Sequence, residues 1–339
     1  MAKRRRSKKW VASLLVLVVV FTGIWFVIQL QPVVPTGKVN LEYVRFDDTT
    51  RLGRVLQELE RRKLIKSSFA VRVLAFLEKR PTTVKAGTYN INAGMSAQQV
   101  LRQLQKPINI IIRFPETNWA NRTAHLLAQY RIVDADEYMR LFHDPNAFAN
   151  DVSFPLPATT LEGYLYPKKY AVAPLDGAQK IIKMQLKEFE KVVWNGPERP
   201  SNLQRTLTLA SLVQLESGVD EDRAMIAGVI ENRIKKKMPL QIDSTILYAL
   251  QKWRRLTFKD YRAVKSPYNT YMVLGLPPGP ICSPDEKDIL AAMHPAKHNY
   301  LYYVALPNGH SLFAETYSQH LKNIGLRKAA IAVLKAKKQ

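Results

Sequence analysis

Residues 10–30 of the chain read "WVASLLVLVVVFTGIWFVIQL" and carry no charge, directly after the basic cluster "MAKRRRSKK". An uncharged run of about 21 residues is long enough to cross a hydrocarbon layer of about 30 Å as one helix. No small folded domain needs such a run in its core, so it sets the plan of the chain. The expectation is a single N-terminal transmembrane helix. The basic flank stays cytoplasmic, and everything after Leu30 lies on the far side. Trp10, Trp25 and Phe26 suit the two membrane interfaces. A cleaved signal peptide is the rival reading. Its apolar core would span about 7–15 residues and end in a small-residue cleavage site. This run is longer and ends in "QLQPVVP", so an uncleaved anchor over residues 1–31 is expected. No later segment is apolar enough to span.

The 339 residues suffice for about two domains. The formal charge of +23 exceeds what a solvated surface needs. It points to an anionic surrounding: a membrane face, a nucleic acid or an acidic polymer. One cysteine, Cys282, excludes an intrachain disulfide and any multi-cysteine zinc site. The histidines are scattered singly, so neither a metal nor an organic cofactor is implied.

After a short linker, "QPVVPTGK", comes the strand "VNLEYVRFD". A helix follows at Leu52–Arg62, with Leu52, Val55, Leu56 and Leu59 on one face, then a second at Phe69–Lys79. "AGTYNINAGMSAQQVLRQLQ" reads as strand, turn and helix, with Ser96 and Gln99 as a capping box. This strand–helix–helix–strand unit with one more helix covers about residues 38–106. It offers no acid/base pair, metal cluster or phosphate loop. "INIIIRFPETNW" is a strand at the boundary of a larger unit, residues 107–339. There, 117–150 read as helical with "HDPNAF" as a break, "LEGYLYPKKYAV" as a structured loop, and Ala178–Trp194 as a helix.

"TLASLVQLESGVDED" is the most informative stretch. Leu209, Leu212 and Val213 share a helix face with Glu216 by the three-and-four spacing. Thr206 or Thr208 is expected to cap the start, and Gly218 to end the helix. A carboxyl among apolar neighbours is hard to ionise, so its pKa should rise, the property of a general acid working near neutrality. The plain alternative is a buried Glu paired with one of the many cations.

Downstream, a helix at about Arg223–Lys236 has Met225, Ile226, Val229, Ile230 and Ile234 as its apolar side, with Asn232 and Arg233 interrupting the polar side. "PLQIDSTILYAL" holds Gln241, Asp243, Thr245 and Tyr248 in a polar, alternating run. "SPYNTYMVLGLPPGPI" is a rigid loop with Tyr268, Asn269 and Tyr271. "HPAKHNYLYYVALPNGHSLFAETYSQH" is a hairpin turning at "PNG", with His310 and His320 near its end. Each aromatic alone suits core packing; together they describe a polar, aromatic-lined cleft for a sugar or a peptide.

"LEGYLYPKKY", "LASLVQLES", "IENRIKKKMPLQIDSTILYAL", "SPYNTYMVLGLPPGPI" and "HPAKHNYLYYVALPNGHSLF" resemble the blocks of the MltG-type (YceG-like) endolytic murein transglycosylases. The anchor and the 38–106 module, similar to that family's LysM-like subdomain, agree. The resemblance covers nearly the whole chain. It implies an α+β fold: a single transmembrane helix, a small LysM-like subdomain and a larger mixed α/β catalytic domain. It places the catalytic glutamate on Glu216 and the family's other polar positions on Glu162, Asn232, Arg233, Gln241, Asp243, Tyr268, Asn269 and Tyr271. It also implies a bacterial inner-membrane location with the catalytic domain outside the cytoplasm, peptidoglycan glycan strands as substrate, and cell-wall synthases as partners. The sequence departs from the family pattern at Gln214, where an acid is usual, at Lys168 for Asp, at "CSPD" for "NPG", at Gln319-His320 for Glu-His, and at "PET" (115–117) for "PEG".

The implied chemistry needs one carboxyl. Glu216 would protonate the oxygen between N-acetylmuramic acid and N-acetylglucosamine, then accept the proton of the sugar's own 6-hydroxyl as it attacks C1. The product is a 1,6-anhydromuramoyl end. The nucleophile is already in the substrate, so its effective concentration is high. Asp243, Gln241 or Asn269 would support the oxocarbenium-like charge. Three other classes are set against this: a glycoside hydrolase using Asp243 or Asp220 as second carboxylate, a non-catalytic glycan-binding scaffold, and a nucleic-acid binder. The last lacks any aromatic–basic motif and would lie outside the cytoplasm. The C-terminal "LRKAAIAVLKAKKQ" reads as a basic helix, either lying against the membrane or solvated.

Overall fold

The computed structural model describes residues 2–35, 41–117 and 119–336, and the backbone alone for 2–9, 11 and 12. The expected linker residues 36–38 and the start of the "VNLEYVRFD" strand, residues 39 and 40, lie outside the described residues. The apolar run forms helix α1, Ala2–Gln29, with Leu14 and Phe21 exposed. Among the described residues no helix is long and apolar enough to cross a membrane. The expected span starts at Trp10, and Val11 and Ala12 fall outside the described side chains, so the described stretch is shorter than the one read in the sequence.

The chain divides into two compact units: Met1–Ile110 with Ala171–Asp176, and Ile111–Tyr170 with Gly177–Gln339. In the first unit, β1 (Tyr43–Phe46), β2 (Thr50–Arg51), α2 (Leu52–Arg61), α3 (Ser68–Leu77), β3 (Thr83–Val84), β4 (Gly87–Asn90) and α4 (Ala97–Gln103) follow one another. β1 runs antiparallel to β4 with Val44 opposite Tyr89, and β2 antiparallel to β3 with Thr50 opposite Val84. Leu52, Val55, Leu56 and Leu59 are buried as the periodicity requires, against Val71, Tyr89, Val100 and Leu101. The capping box at α4 forms: Ser96 Oγ accepts from the Gln99 N–H, and Gln99 Oε1 accepts from the Ser96 N–H at 2.8 Å. The start of the expected linker is not free. Leu30 packs on this core, Ala97 N–H donates to Leu30 O (2.9 Å), and Val33 and Val34 N–H both donate to Ala93 O.

The second unit contains β5 (Ile110–Arg113, its first residue in the other unit), α5 (Ala120–Gln129), α6 (Ala135–Phe142), β6 (Lys169–Val172, its last two residues in the other unit), α7 (Ala178–Phe189), α8 (Leu203–Glu216), α9 (Arg223–Lys235), α10 (Asp243–Leu250), α11 (Asp260–Ala263), α12 (Glu286–Met293), β7 (Tyr302–Ala305), β8 (Ser311–Ala314) and α13 (Tyr317–Ala336). Among the described residues every sheet has two strands. The "LEGYLYPKKYAV" segment, read as a loop, ends in strand β6. The polar run "DSTILYAL" folds as α10: Thr245 returns its hydroxyl to Ile242 O (2.6 Å), which closes the first turn.

α8 departs most from its reading. From Leu207 to Val213 it is buried on all sides, not along one stripe, because α9, α10 and α12 pack against it. Its cap is Asn202, whose Oδ1 accepts from the Arg205 N–H (3.0 Å), one turn earlier than the expected threonine. Thr208 instead returns its hydroxyl to Gln204 O (2.7 Å). The helix ends at Ser217 in an extended conformation. Gly218 is required for another reason: its backbone lies directly on that of Gly309, leaving no room for a Cβ. Gly309, at φ +94°, turns the β7–β8 hairpin.

Candidate active site

Glu216 is the last residue of α8, and its carboxyl is held from two other elements. Ser244 Oγ, on the first turn of α10, donates to Oε1 at 3.2 Å. Tyr303 OH, on β7, donates to Oε2 at 3.0 Å. Burial pushes the Glu216 pKa up to about 7; the two hydroxyls pull it down and the charge of neighbouring Asp243 pushes it up. Burial and the Glu216 charge hold the Tyr303 phenol well above its ordinary value, so it stays a donor. The group can therefore give up a proton near neutrality and, once charged, find two donors already aimed at it.

Asp243 is exposed at the start of α10. Tyr271 OH donates to its Oδ1 at 2.6 Å and Tyr261 OH to its Oδ2 at 3.4 Å. The loop carrying Tyr271 is tied to α10. Gln241 N–H donates to Thr270 O (3.1 Å), Ile242 N–H to Thr270 Oγ1 (3.0 Å), and the Thr245 and Thr270 hydroxyls lie 3.0 Å apart. Gln241 makes this possible with φ +55°, a left-handed turn that redirects the chain into α10.

The other residues named from the sequence divide into three groups. Asn269 is fully buried: its Nδ2 donates to Tyr261 O (3.2 Å) and Val264 O (2.9 Å), and its Oδ1 accepts from the Tyr271 N–H. Arg233 donates to the carbonyls of Leu301 (2.6 Å), Leu240 (2.7 Å) and Pro239 (3.2 Å), and Asn232 to those of His298 (2.7 Å) and Tyr300 (3.1 Å). These three side chains hold backbone in place. Gln241 points an exposed side chain outward, and Tyr268 packs on Tyr248 with ring centroids 4.8 Å apart. Glu162 is 5% exposed and bonded to Tyr248, with its pKa driven up to about 8 by burial. It shares no hydrogen bond with Glu216. Asp220, a candidate second carboxylate, is taken by Lys287 and Arg223, which hold its pKa below the usual range.

Ser244, Tyr303 and Tyr261 went unread in the sequence. Ser244 is adjacent to Asp243 and could have been found from that. Tyr303 stands among four tyrosines within 300–317, and nothing in their spacing distinguishes it. Among the described residues no group of His, Cys, Asp and Glu could hold a metal ion.

The chain is 32% identical over 316 residues to the endolytic murein transglycosylase of Bacillus subtilis strain 168, covering 86% of each. It is 29% identical to the protein of the same name in Streptococcus pneumoniae R6, covering 94% of this chain and spanning 65% of that protein's length. A crystal structure of a yceG-like protein from Listeria monocytogenes superimposes with a TM-score of 0.56 at 29% identity, covering 84% of this chain and 99% of that one. The YceG-like family matches residues 44–325, from the first strand of the first unit into α13 and through every element that builds the Glu216 site, and the chain belongs to that family.

Proposed function

We propose that the protein is a membrane-anchored endolytic peptidoglycan lytic transglycosylase that cuts between N-acetylmuramic acid and N-acetylglucosamine and leaves 1,6-anhydro ends. The observation that carries this reading is the Glu216 carboxyl, desolvated to a pKa of about 7 and bonded by Ser244 and Tyr303. The names of the Bacillus and Streptococcus relatives support the reaction class.

Protonated Glu216 donates to the glycosidic oxygen as the C1–O bond breaks. Negative charge then appears on Glu216, where Ser244 and Tyr303 stabilise it. Asp243, held by Tyr271 and Tyr261, faces the positive charge developing at C1. Glu216 then accepts the proton of the 6-hydroxyl as its oxygen bonds to C1, so the carboxyl returns to its starting state and no water enters.

The uncharged run Trp10–Leu30 supplies the anchor, with the basic residues before it on the cytoplasmic side of the inner membrane and both units outside. The first unit acts as a LysM-like glycan-binding module, and wall synthases are partners at the sites where strands are made. The net charge of +23 suits anionic lipid and wall polymers.

Mass spectrometry of peptidoglycan digested with purified protein tests this: anhydromuramoyl ends internal to the original strands are expected, and reducing ends alone overturn it. Glu216→Gln should lower the rate by about 10²–10⁴ at unchanged melting temperature, since Gln keeps the size but cannot transfer the proton. The second reading, a hydrolase, draws on Asp243 lying beside Glu216. Heavy-oxygen water separates the two, because only hydrolysis puts the label on C1. If Asp243 only supports charge, Asp243→Asn should be slow yet still give anhydro products.

A further inference from the structure

A cavity of about 660 Å³ opens beside the first turn of α8, at the other end of the helix from Glu216. At about 1.5 Å per residue, the ends of this helix are about 20 Å apart. The fifteen lining residues carry no charge, although the chain has 51 lysines and arginines. No cationic side chain therefore stands in its wall to pair a carboxylate or phosphate. It is lined instead by Tyr268, Asn202, Thr159, Thr160, Ser201 and several prolines, among others. Thr159, Thr160 and Ser201 use their hydroxyls in no hydrogen bond among the described residues.

The floor is fixed before any ligand arrives. Tyr164 OH donates to Gln204 Oε1 (2.8 Å), and Gln204 Nε2 donates to Pro278 O (3.2 Å). Stiff walls with a few free polar groups cost little ordering on binding. An adjoining cavity of about 510 Å³ shares Asn202, Gln204 and Pro278 with the first and extends along α8 as far as Thr208, towards Glu216. Its one charged residue, Arg205, is paired with Glu231 at 2.8 Å. A single loop, 266–281, walls the first cavity through Tyr268 and Pro278–Pro280 and also brings Tyr271 to Asp243.

We infer that this cavity is a remote saccharide subsite, which takes a neutral N-acetylated sugar of the strand being cut at Glu216. The inference rests on the proposed function. An aromatic side chain, free hydroxyls and a carboxamide N–H₂ suit the apolar ring face, hydroxyls and acetamido carbonyl of such a sugar. The carboxylates of acidic stem peptides find no cationic side chain to pair with at this position. A strand held both here and at Glu216 has several sugars between the two points, so cuts fall inside strands and short fragments cannot use both grips.

The test fills the cavity from its exposed rim with Ala158→Trp and removes one hydroxyl with Thr160→Ala, each checked by thermal melting. On long glycan strands, Ala158→Trp should lower kcat/KM about tenfold, which corresponds to about 1.4 kcal/mol of lost binding. On fragments too short to reach the cavity, its kcat/KM should equal that of the wild type. In parallel, Glu216→Gln full-length protein is titrated with N-acetylglucosamine oligomers. Binding is expected, weakened by Thr160→Ala and lost with Ala158→Trp. Equal effects of Ala158→Trp on long and short substrates, or oligomer binding unchanged by both variants, would overturn the inference. A wild type that gives no anhydro ends would instead overturn the proposed function. The oligomer titration, which needs no turnover, still reads the cavity in that case.

Discussion

At the scale of single residues, the pH response of Glu216 is set by groups whose influences have opposite signs. In the proposed reaction Glu216 must hold its proton in the free enzyme, so kcat/KM should fall as pH rises through about 7. Tyr303 bonds the charged form and thereby lowers the pKa. Tyr303→Phe removes that bond, so the alkaline limb should move to higher pH while the maximal rate drops. Asp243 acts the other way, because its charge opposes a second one on Glu216. Asp243→Asn should move the same limb to lower pH. A pH–rate profile of each variant decides this; no shift in either variant would show that burial alone sets the value.

Among elements, the polar side chains of α9 illustrate how a residue can matter to a site by holding backbone in place. Arg233 joins α9 to β7 and to the chain entering α10 by three carbonyl contacts, and lies 5.3 Å from the centroid of the Tyr302 ring. Arg233→Ala leaves buried carbonyls without donors. It should cost about 3 kcal/mol of stability, given about 1–3 kcal/mol for each polar group left unpaired. Urea unfolding measures this, and KM for glycan strands should change little in the folded fraction. A large KM effect at unchanged stability would return Arg233 to the substrate-binding residues. The same logic applies at the hairpin: Gly218→Ala should push the Gly309 turn away and, with it, β7 and Tyr303, lowering activity more than stability.

For the molecule as a whole, α1 and the chain after it are part of the first unit and not simply tethered to it. Removing everything before Val39 discards the packing of Leu30 and three backbone hydrogen bonds made by Ala97, Val33 and Val34. The fragment should still fold, because the sixteen-residue core of that unit begins at Val44. It should be less stable than a fragment starting at Leu30 by about 1–3 kcal/mol, the scale of one leucine burial plus modest hydrogen bonds. Circular dichroism melts of the two fragments measure the difference; identical melts would make the Leu30–Val34 contacts inconsequential.

The sequence by itself determined the local features. Periodicity located α2 and its four buried residues, a capping box marked α4, "PNG" marked the hairpin turn, and a carboxyl within an apolar helix singled out Glu216. All of these depend on neighbours within about one helical turn or one β-turn, so their physics is present in the order of residues. Only the tertiary structure decided which side chains meet Glu216. Ser244 is 28 positions away and Tyr303 is 87, and the latter was indistinguishable by spacing from the tyrosines around it. It also decided that Arg233, Asn232 and Asn269 serve the backbone, because a polar side chain's role depends on which donors and acceptors its surroundings leave unpaired. The burial of α8 on every side between Leu207 and Val213 has the same origin. A helix's own sequence specifies how apolar each face is, but the elements that arrive to cover those faces come from distant parts of the chain.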